Sequence, residues 1–506
     1  MTKISETTEA IIEKHNLPRR FPKKVWAAAE QAVENPGPDG LRADFCALLT
    51  ITIDGSDARD LDDALSLSKT EEGNWLLGVH IADVAHYVKA GSPLDAEADL
   101  RGTSVYFPDC VLPMLPPALS NGICSLNAGE ERLALSCMME IGPRGEVLSH
   151  QLYESRIRVD YRLSYEQVNA ALEDKDKAAL QALKPVLPML RQLKKLTAAL
   201  RRRRERGGAL DFDFPESKVI LDADGRVLDI QQRRSRIGER MIEDAMIAAN
   251  QTVAADFRAR EIPFVYRVHQ ACSADRLWEL NENLQPLGYF IRAKKGQGLA
   301  AAMREQLHKA AGQPEERLVS TLVLRSMQHA FYTVEPLGHF ALGMDAYCHF
   351  TSPIRRYPDL LVHRQIKKWL KRRKLHAAEY LAEAAARSSY RERLAETAER
   401  DAVAAFSCLY MADKLGEIFD GHISGVTGYG LYVELANGVE GLLHIRYLED
   451  DYYIYHESQL ALRGRDRHKT YRLGDPIRVQ LKHVDCDRYY IDFILPPMEN
   501  DGEVEQ

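Results

Sequence analysis

The pattern of apolar and polar positions divides the chain into a mixed part and an all-β part. Residues 48–53 form an apolar run rich in β-branched side chains, and residues 64–67 begin a second run, so both predict buried strands. Helical periodicity follows in residues 174–206 and 238–260. Residues 375–415 contain neither Pro nor Gly and predict one long helix. This part is therefore predicted to be α+β, a mixed sheet with surrounding helices.

The C-terminal part changes to a glycine-rich β pattern. Between residues 419 and 495, short alternating runs are separated by glycines, which is typical of strand bends in a small barrel. Tyr429 and Tyr432 are close enough in sequence for a bulge to bring both rings to one face, near His444. OB-type barrels stack unpaired bases on such rings. Exposed tyrosines also occur on plain sheet surfaces, and the aromatic residues alone leave both interpretations open.

The densest charge of the chain lies between the two first predicted strands. Residues 54–63 carry the carboxylates of Asp54, Asp57, Asp60, Asp62 and Asp63. Like charges held together raise each other's pKa unless a cation neutralises them, so this loop predicts a metal site. Oxygen ligands favour magnesium or manganese, and magnesium usually adds substrate phosphates to a few carboxylates. We therefore expect phosphate chemistry here.

Calcium and a plain acidic turn are the alternatives for this loop. An EF-hand loop starting at Asp54 needs Gly at its sixth position and Glu at its twelfth, where the chain has Arg59 and Leu65. This mismatch disfavours calcium. A solvated acidic turn stays open from the loop alone, because charge runs usually face water.

The composition is that of an ordinary globular protein. The 506 residues are 45% hydrophobic and 28% charged, which leaves room for several domains. The N-terminus is polar and no apolar run reaches the roughly 18 residues of a membrane span, so we expect a cytoplasmic protein without a membrane partner. The cysteines form no C-x-x-C pair, which argues against a zinc ribbon.

The distribution of basic residues says more than the net charge of −7. They cluster in residues 201–206 and 364–374. Each run has the commoner interpretation of a solvated helix face. Beside a metal-phosphate loop, however, both runs also favour an anionic substrate.

Long ordered blocks accompany the acidic loop along the chain. They are residues 79–84, 101–108, 119–126, 245–250 and 349–357. Together with residues 54–63 they resemble the ribonuclease II and ribonuclease R family, named RNB after its catalytic domain, and are closer to the ribonuclease R branch. The resemblance implies a lead-in segment at 1–47, an RNB catalytic domain at 48–413, an S1-type OB-fold barrel at 414–496 and an acidic tail at 497–506.

The resemblance also implies an activity. Members of this family are processive hydrolytic exoribonucleases that degrade single-stranded RNA from a free 3′ end and release nucleoside 5′-monophosphates in RNA turnover. The implied cofactor is Mg²⁺, with Mn²⁺ as a substitute, and the implied state is a monomer. Divalent ions can activate a water molecule and stabilise the departing 3′ oxygen, which agrees with the acidic loop.

The metal and phosphate residues of the family map onto this sequence position by position. Asp54, Asp60, Asp62 and Asp63 match the metal-site aspartates, and Asp62 is also a catalytic residue. Asp57 falls between them as a structural or helper residue. The catalytic arginine that contacts the scissile phosphate corresponds to Arg355. A planar guanidinium suits phosphate oxygens, although a buried structural arginine is the alternative.

The RNA contacts of the family map in the same way. Tyr106 and Phe212 correspond to two aromatic residues that clamp the last base, without reading its sequence. Tyr165 and Glu243 match positions near the ribose, where a contact with the 2′-hydroxyl separates RNA from DNA. Glu399 matches a position of less defined role on the long helix. In the barrel, Tyr429, Tyr432 and His444 are the expected RNA contacts.

Two features depart from the ribonuclease R pattern. Cold-shock barrels normally precede the catalytic domain, and residues 1–47 do not contain them. The tail at 497–506 lacks a lysine-rich extension. We therefore expect a weaker electrostatic grip on long strands and limited handling of structured RNA.

Two other functions stay open, one of them a binding protein and the other a different nuclease. A catalytically silent RNA-binding regulator would be expected to lose metal carboxylates, yet all four family positions are present. A single-strand DNA nuclease would use the same phosphate chemistry, so only the ribose contacts separate it from the RNA interpretation.

Overall fold

The computed structural model describes residues 5–37, 39–210, 215–294, 298–313 and 315–497. Phe212 and the predicted tail beyond Pro497 lie outside the described residues. Within the described ranges, none of the helices combines the length and the apolar content that a membrane crossing needs.

Helices and strands are mixed as far as Ala412, and strands predominate after it. The α-helices of the described residues are α1 (Glu6–Lys14), α2 (Lys23–Glu34), α3 (Val84–Tyr87), α4 (Pro93–Arg101), α5 (Tyr165–Leu172), α6 (Lys177–Ala182), α7 (Leu187–Arg206), α8 (Ile237–Ala259), α9 (Ala274–Leu284), α10 (Leu299–Ala310), α11 (Glu316–Ser326), α12 (Tyr357–Leu370) and α13 (Ala378–Ala412). The strands of the mixed part are β1 (Ala43–Asp44), β2 (Thr50–Asp54), β3 (Asp63–Lys69), β4 (Trp75–Ala82), β5 (Val105–Tyr106), β6 (Val111–Leu112), β7 (Glu131–Ile141), β8 (Val147–Arg158), β9 (Tyr161–Ser164), β10 (Glu216–Leu221), β11 (Val227–Arg233), β12 (Tyr266–Val268) and β13 (Phe331–Thr333).

A seven-stranded sheet in the order β1-β8-β7-β4-β3-β2-β9 is the centre of the mixed part. Strands β3, β4, β7 and β8 are antiparallel neighbours, whereas β1 and β9 pair in parallel at the two edges. Helix α8 packs against β2, β4 and β7. Because helices cover the sheet, β2 and β4 are almost wholly buried. The predicted α+β class is confirmed.

The C-terminal strands form the predicted barrel. They are β14 (Ile418–Thr427), β15 (Gly430–Leu435), β16 (Glu440–His444), β17 (Tyr453–His456), β18 (Ala461–Gly464), β19 (Thr470–Arg472), β20 (Pro476–Asp485) and β21 (Tyr490–Ile494). Strands β14, β15, β16, β21 and β20 close into a barrel, which confirms the prediction, and β17 to β19 form a separate small sheet. The boundaries at 48–413 and 414–496 stay predictions.

The structure refines the prediction in one helical region and differs from it in another. The predicted helical periodicity of residues 174–206 is divided between α6 and α7, with Pro185 in the break between them and Pro188 in the first turn of α7. The predicted lead-in segment contains α1 as well as the expected helix near residues 22–33. Helix α1 is short, and its buried Ile11 and Ile12 pack against distant residues, so its local sequence gives little signal.

A buried ion cluster joins the sheet to the segment before it and to α12. Asp83 is fully buried and accepts hydrogen bonds from Arg42 Nη2 at 2.8 Å and from Lys367 Nζ at 2.6 Å. Glu154 lies 3.3 Å from the same Lys367 ammonium. Burial alone would raise the pKa of Asp83, but Lys367 and Arg42 outweigh it and hold that pKa well below its ordinary value. The stability of the fold therefore depends on Asp83 being charged.

Replacing Asp83 with Asn should lower the free energy of unfolding at pH 7 by about 3–5 kcal/mol, because it leaves buried cations unpaired. The folded-state pKa is depressed, so the carboxylate stabilises the fold above its unfolded pKa of about 3.9, and this contribution is lost as the pH falls below that value. Urea unfolding followed by circular dichroism measures both effects.

The control Asp99→Asn removes an exposed pair with Arg387 and should cost about 1 kcal/mol or less. An equal loss for Asp83→Asn at pH 3 and pH 7 would contradict this assignment.

Candidate active site

The acidic loop lies at one end of the central sheet. Asp54 is the last residue of β2 and Asp63 is the first residue of β3, and these strands are antiparallel neighbours. Both carboxylates therefore come to the same edge. Burial raises the pKa of Asp63 to about 7, and the nearby Asp54 adds to the shift. Burial also raises the pKa of Asp54, and Asp60 contributes in the same direction.

Two side chains from other segments fix the path of this loop. Ser125 Oγ accepts the N–H of Leu61 at 3.1 Å and donates to the carbonyl of Arg59 at 2.8 Å. The guanidinium of Arg162, on β9, donates to the carbonyl of Ala58. The loop is therefore held on both sides before it reaches Asp62.

Asp62 is the most constrained of the aspartates. Its side chain is buried, and Oδ1 accepts the backbone N–H of Ile354 at 2.8 Å. Oδ2 is buried and has no hydrogen-bond partner among the described residues, while Arg355 Nε lies 3.9 Å from it. Burial raises the pKa of Asp62 well above its ordinary value, against the opposing charge of Arg355. A buried carboxylate oxygen in this state is suited to a cation.

The aspartates fit a metal site in which water and substrate supply part of the ligand shell. Within the described part of the chain, no three carboxylates, imidazoles or thiols converge closely enough to hold a metal ion by themselves. The four predicted ligands thus share a region without forming a closed shell. Magnesium often takes only one or two carboxylates and completes its shell with water and substrate phosphate. The unpartnered Oδ2 of Asp62 is the observation that supports this fit.

Arg355 lies on the loop before α12 and faces the aspartates. Its side chain is 43% exposed, unlike that of the buried structural arginine considered as the alternative. Nη2 donates to Ser352 Oγ at 3.2 Å, and the Arg355 carbonyl accepts the N–H of Ser104 at 2.9 Å. Asp359, in the first turn of α12, accepts the N–H of Ser352 at 2.7 Å. The loop is thus fixed while the guanidinium stays accessible to an anion.

Two predicted aromatic residues lie beside the aspartates. Tyr106 is 41% exposed, and its hydroxyl donates to Asp60 Oδ2 at 3.5 Å. Its backbone N–H donates to Oε1 of Glu399 at 2.7 Å, so Glu399 supports Tyr106 directly. Tyr165 is the first residue of α5, where burial raises its pKa and the nearby charges of Asp54 and Asp63 add to the shift.

The structure places Glu243 on α8, beside α7. It lies on the exposed face of α8 and pairs with Arg201 of α7 at 3.5 Å. Arg201 also binds the next residue, Asp244, which lines a cavity of about 1020 Å³ between α7, α8 and the β7–β8 turn. Among the predicted site residues that the structure describes, none lines this cavity. Phe212 lies outside the described residues.

The barrel residues form a second group. The hydroxyl groups of Tyr429 and Tyr432 are 2.8 Å apart, and their rings are edge to face with centroids 6.2 Å apart. Gly430 pairs with His444 across the ladder and has φ +154°. A Cβ at this position would lie 2.4 Å from the carbonyl oxygen of Leu443, so the close strand approach requires glycine.

Several residues of the two groups were not predicted from sequence. Ser125, Arg162 and Asp359 hold the loops that carry the aspartates and Arg355. In the barrel, Lys482 Nζ lies 3.7 Å from the ring centroid of Tyr447, near His444. The signal for Ser125 was its place in the ordered block 119–126, whereas the others depend on tertiary contacts.

Comparison with known proteins places the chain in a family. The RNB domain matches residues 42–372 and the S1 RNA binding domain matches residues 412–495. A protein named Ribonuclease R 1 from Lactococcus lactis is 42% identical over 97% of this chain and 61% of its own length. Ribonuclease R from Thermotoga maritima is 42% identical over 98% of this chain and 71% of its own.

The chain belongs to the RNB family. Its predicted resemblance to the ribonuclease R branch is confirmed. The chain spans about three fifths of the length of the Lactococcus protein, which is 61% covered. Nucleases of the RNB family depend on divalent metal ions.

Several solved structures have the same fold. Mycoplasma genitalium RNase R in complex with ribose methylated single-stranded RNA is 29% identical, with a TM-score of 0.87 over 97% of this chain and 77% of that one. The same protein with double-stranded RNA has a TM-score of 0.82 at 27% identity, over 97% of this chain and 82% of that one. The yeast pseudonuclease Ssd1, at 19% identity over 90% of this chain and 57% of that one, with a TM-score of 0.69, shows the fold alone.

Replacing Asp62 with Asn should weaken Mn²⁺ binding by about tenfold or more, because it removes the charge beside the unpartnered oxygen. The matched control is Asp57→Asn, an exposed aspartate of the same loop that should bind Mn²⁺ as the wild type does. Electron paramagnetic resonance of free Mn²⁺ during titration measures the dissociation constant. Equal affinities of the two variants would contradict the metal assignment.

Proposed function

We propose that this chain is a processive 3′-to-5′ exoribonuclease that hydrolyses single-stranded RNA with a free 3′ end to nucleoside 5′-monophosphates. The observation that carries the proposal is the constrained site around Asp62, in an RNB chain with relatives named ribonuclease R. Mg²⁺ is the proposed cofactor, with Mn²⁺ as a substitute, because the donors are carboxylate oxygens.

Asp54, Asp60, Asp62 and Asp63 are the residues that would hold the metal. When bound, divalent ions supply a more acidic water molecule and neutralise charge on the phosphate. The chain's own contribution is to hold these carboxylates in place before substrate arrives. The Ile354 N–H fixes one oxygen of Asp62 and leaves the other oxygen directed to the site. Preorganised charges of this kind need little rearrangement during the reaction.

Arg355 is proposed to bind the scissile phosphate. Its half-exposed guanidinium lies next to Asp62, on a loop that Asp359 and Ser104 hold through backbone hydrogen bonds. The adjacent start of α12 also favours an anion. A planar guanidinium forks onto two phosphate oxygens, which positions the phosphorus opposite the carboxylates.

RNA is the proposed substrate class, and the solved Mycoplasma complexes with RNA support it. The accessible ring of Tyr106 beside Asp60 suits stacking of the terminal base. Burial and the nearby charges of Asp54 and Asp63 raise the pKa of Tyr165, so its hydroxyl keeps its proton, which suits a hydrogen bond with the terminal ribose. Phe212 and Glu243 are proposed as the remaining contacts on the resemblance alone.

The barrel is proposed to guide the strand toward this site. Tyr429, Tyr432 and His444 offer rings for base stacking, and Lys482 beside Tyr447 adds a cation for the backbone. The cytoplasmic location and the monomeric state that the sequence predicts stay predictions.

A comparison of one RNA oligomer with its all-DNA counterpart, each labelled at the 5′ end, tests the proposed function. With Mg²⁺ the wild type should shorten the RNA progressively to a short limit product and leave the DNA intact, and a chelator should stop the reaction. Asp62→Asn should still bind RNA without cutting it, whereas Asp57→Asn should cut it at close to the wild-type rate. Intact RNA with Mg²⁺ would indicate the silent regulator, and equal shortening of DNA would indicate the DNA nuclease.

Replacing Arg355 with Lys should lower kcat by about 10²–10³-fold, because an ammonium group cannot fork onto two phosphate oxygens. Single-turnover cleavage of a short RNA measures the rate, and filter binding measures the affinity for RNA, which should change much less. The control Arg59→Lys alters an exposed arginine of the acidic loop and should keep the wild-type rate. A wild-type rate for Arg355→Lys would exclude the phosphate contact.

A further inference from the structure

The strands β5 and β6 form a hairpin that carries Tyr106 outside the main hydrophobic core. Val105, Phe107 and Leu112 on this hairpin are buried, but they belong to a small separate cluster. The remaining members of that cluster come from the N-terminal segment and from α13; they are Ile11, Ile12, Leu17, Ala395, Ala398, Ala402 and Ala405. The apolar side of the hairpin thus packs in a cluster to which α1 contributes Ile11 and Ile12.

Asp109, at the turn of the hairpin, receives the start of α1. Its Oδ1 accepts the hydroxyl of Thr8 at 2.7 Å, and its Oδ2 accepts the backbone N–H of Ser5 at 2.9 Å. Thr8 is fully buried, and Ser5 caps the helix by accepting the N–H of Thr8. Both oxygens of one carboxylate are therefore used to fasten the helix start to the hairpin.

The other end of α1 is fastened to α13. Lys14 Nζ and His15 Nε2 both lie 2.8 Å from Oδ2 of Asp401. Asp401 is two residues after Glu399, whose Oε1 accepts the N–H of Tyr106. Helix α1 thus contacts both structures that hold Tyr106, the hairpin at one end and α13 at the other.

We propose that α1 is a positioning element for the terminal nucleotide, and that Thr8 and Asp109 act as positioning residues that set where the Tyr106 ring lies. This inference rests on the proposed function, since it assigns the ring to the last base of the RNA. Thr8 and Asp109 do not touch the substrate and act only through Tyr106. Small displacements of a stacking ring weaken binding of the base while the carboxylates and Arg355 stay in place.

The test compares Thr8→Val with the control Thr7→Val. Thr8→Val removes the hydroxyl that binds Asp109 and keeps the size of the side chain. Thr7→Val makes the same change at the neighbouring, less buried residue of α1 and leaves the bond between Thr8 and Asp109 in place. For a short single-stranded RNA, Thr8→Val should raise KM about tenfold, similar to the loss of one stacked base, with kcat changed by less than about threefold. Thr7→Val should change neither constant.

A double-mutant cycle separates positioning from general destabilisation. In a Tyr106→Ala background, Thr8→Val should have little further effect on KM, because the ring through which it acts is absent. An unchanged KM in Thr8→Val, or a rise that adds fully to that of Tyr106→Ala, would overturn the proposal. Asp109→Asn, which keeps an acceptor oxygen but lacks the charge, should give an intermediate KM.

Hydrogen exchange followed by mass spectrometry provides a readout that needs no hydrolysis. The peptide covering residues 105–112 should exchange faster in Thr8→Val than in the wild type, whereas peptides from the central sheet should not change. If the protein cuts no RNA but the hairpin loses protection, the proposed function fails and α1 still positions the hairpin. If RNA is cut and hairpin exchange is unchanged in Thr8→Val, the positioning role fails by itself.

Discussion

The burial of like charges at one end of the central sheet is the constraint on which the rest of this molecule depends. Asp54 and Asp63 are fixed by their strands, and Asp62 is fixed by the N–H of Ile354. Burial disfavours each charged carboxylate, and their mutual repulsion adds to this cost. The fold tolerates the arrangement because Arg355 and a rigid backbone face the same region.

Strong periodic patterns in the sequence predicted most of the helices and strands that surround these aspartates. The long helix without Pro or Gly is α13, and the glycine-rich segment is a closed barrel. Helix α1 escaped prediction because it has only nine residues and gains its stability from packing on α13. The same limitation applies to any short helix whose partners are distant in sequence.

The candidate site could be predicted where a single segment contains the chemically active side chains. The density of aspartates in residues 54–63 marked the loop, and the ordered blocks marked the family. The supports of the loop could not be predicted, because they come from far along the chain. Ile354 reaches Asp62 across 292 positions of sequence, and Arg162 reaches the loop from β9. Only the tertiary structure brings these residues to the loop.

Because the site is preorganised, part of the cost of binding a cation is already met by folding. Folding has already removed Asp62 from water, so a cation that binds there need not desolvate that carboxylate again. The open arrangement would leave part of the ligand shell to the phosphate, which would couple metal binding to substrate binding. The proposed base contact of Tyr106 would be made through a hairpin that the main core does not hold. The carboxylates are thus fixed by the sheet, whereas the ring of Tyr106 depends on a separate and smaller set of contacts.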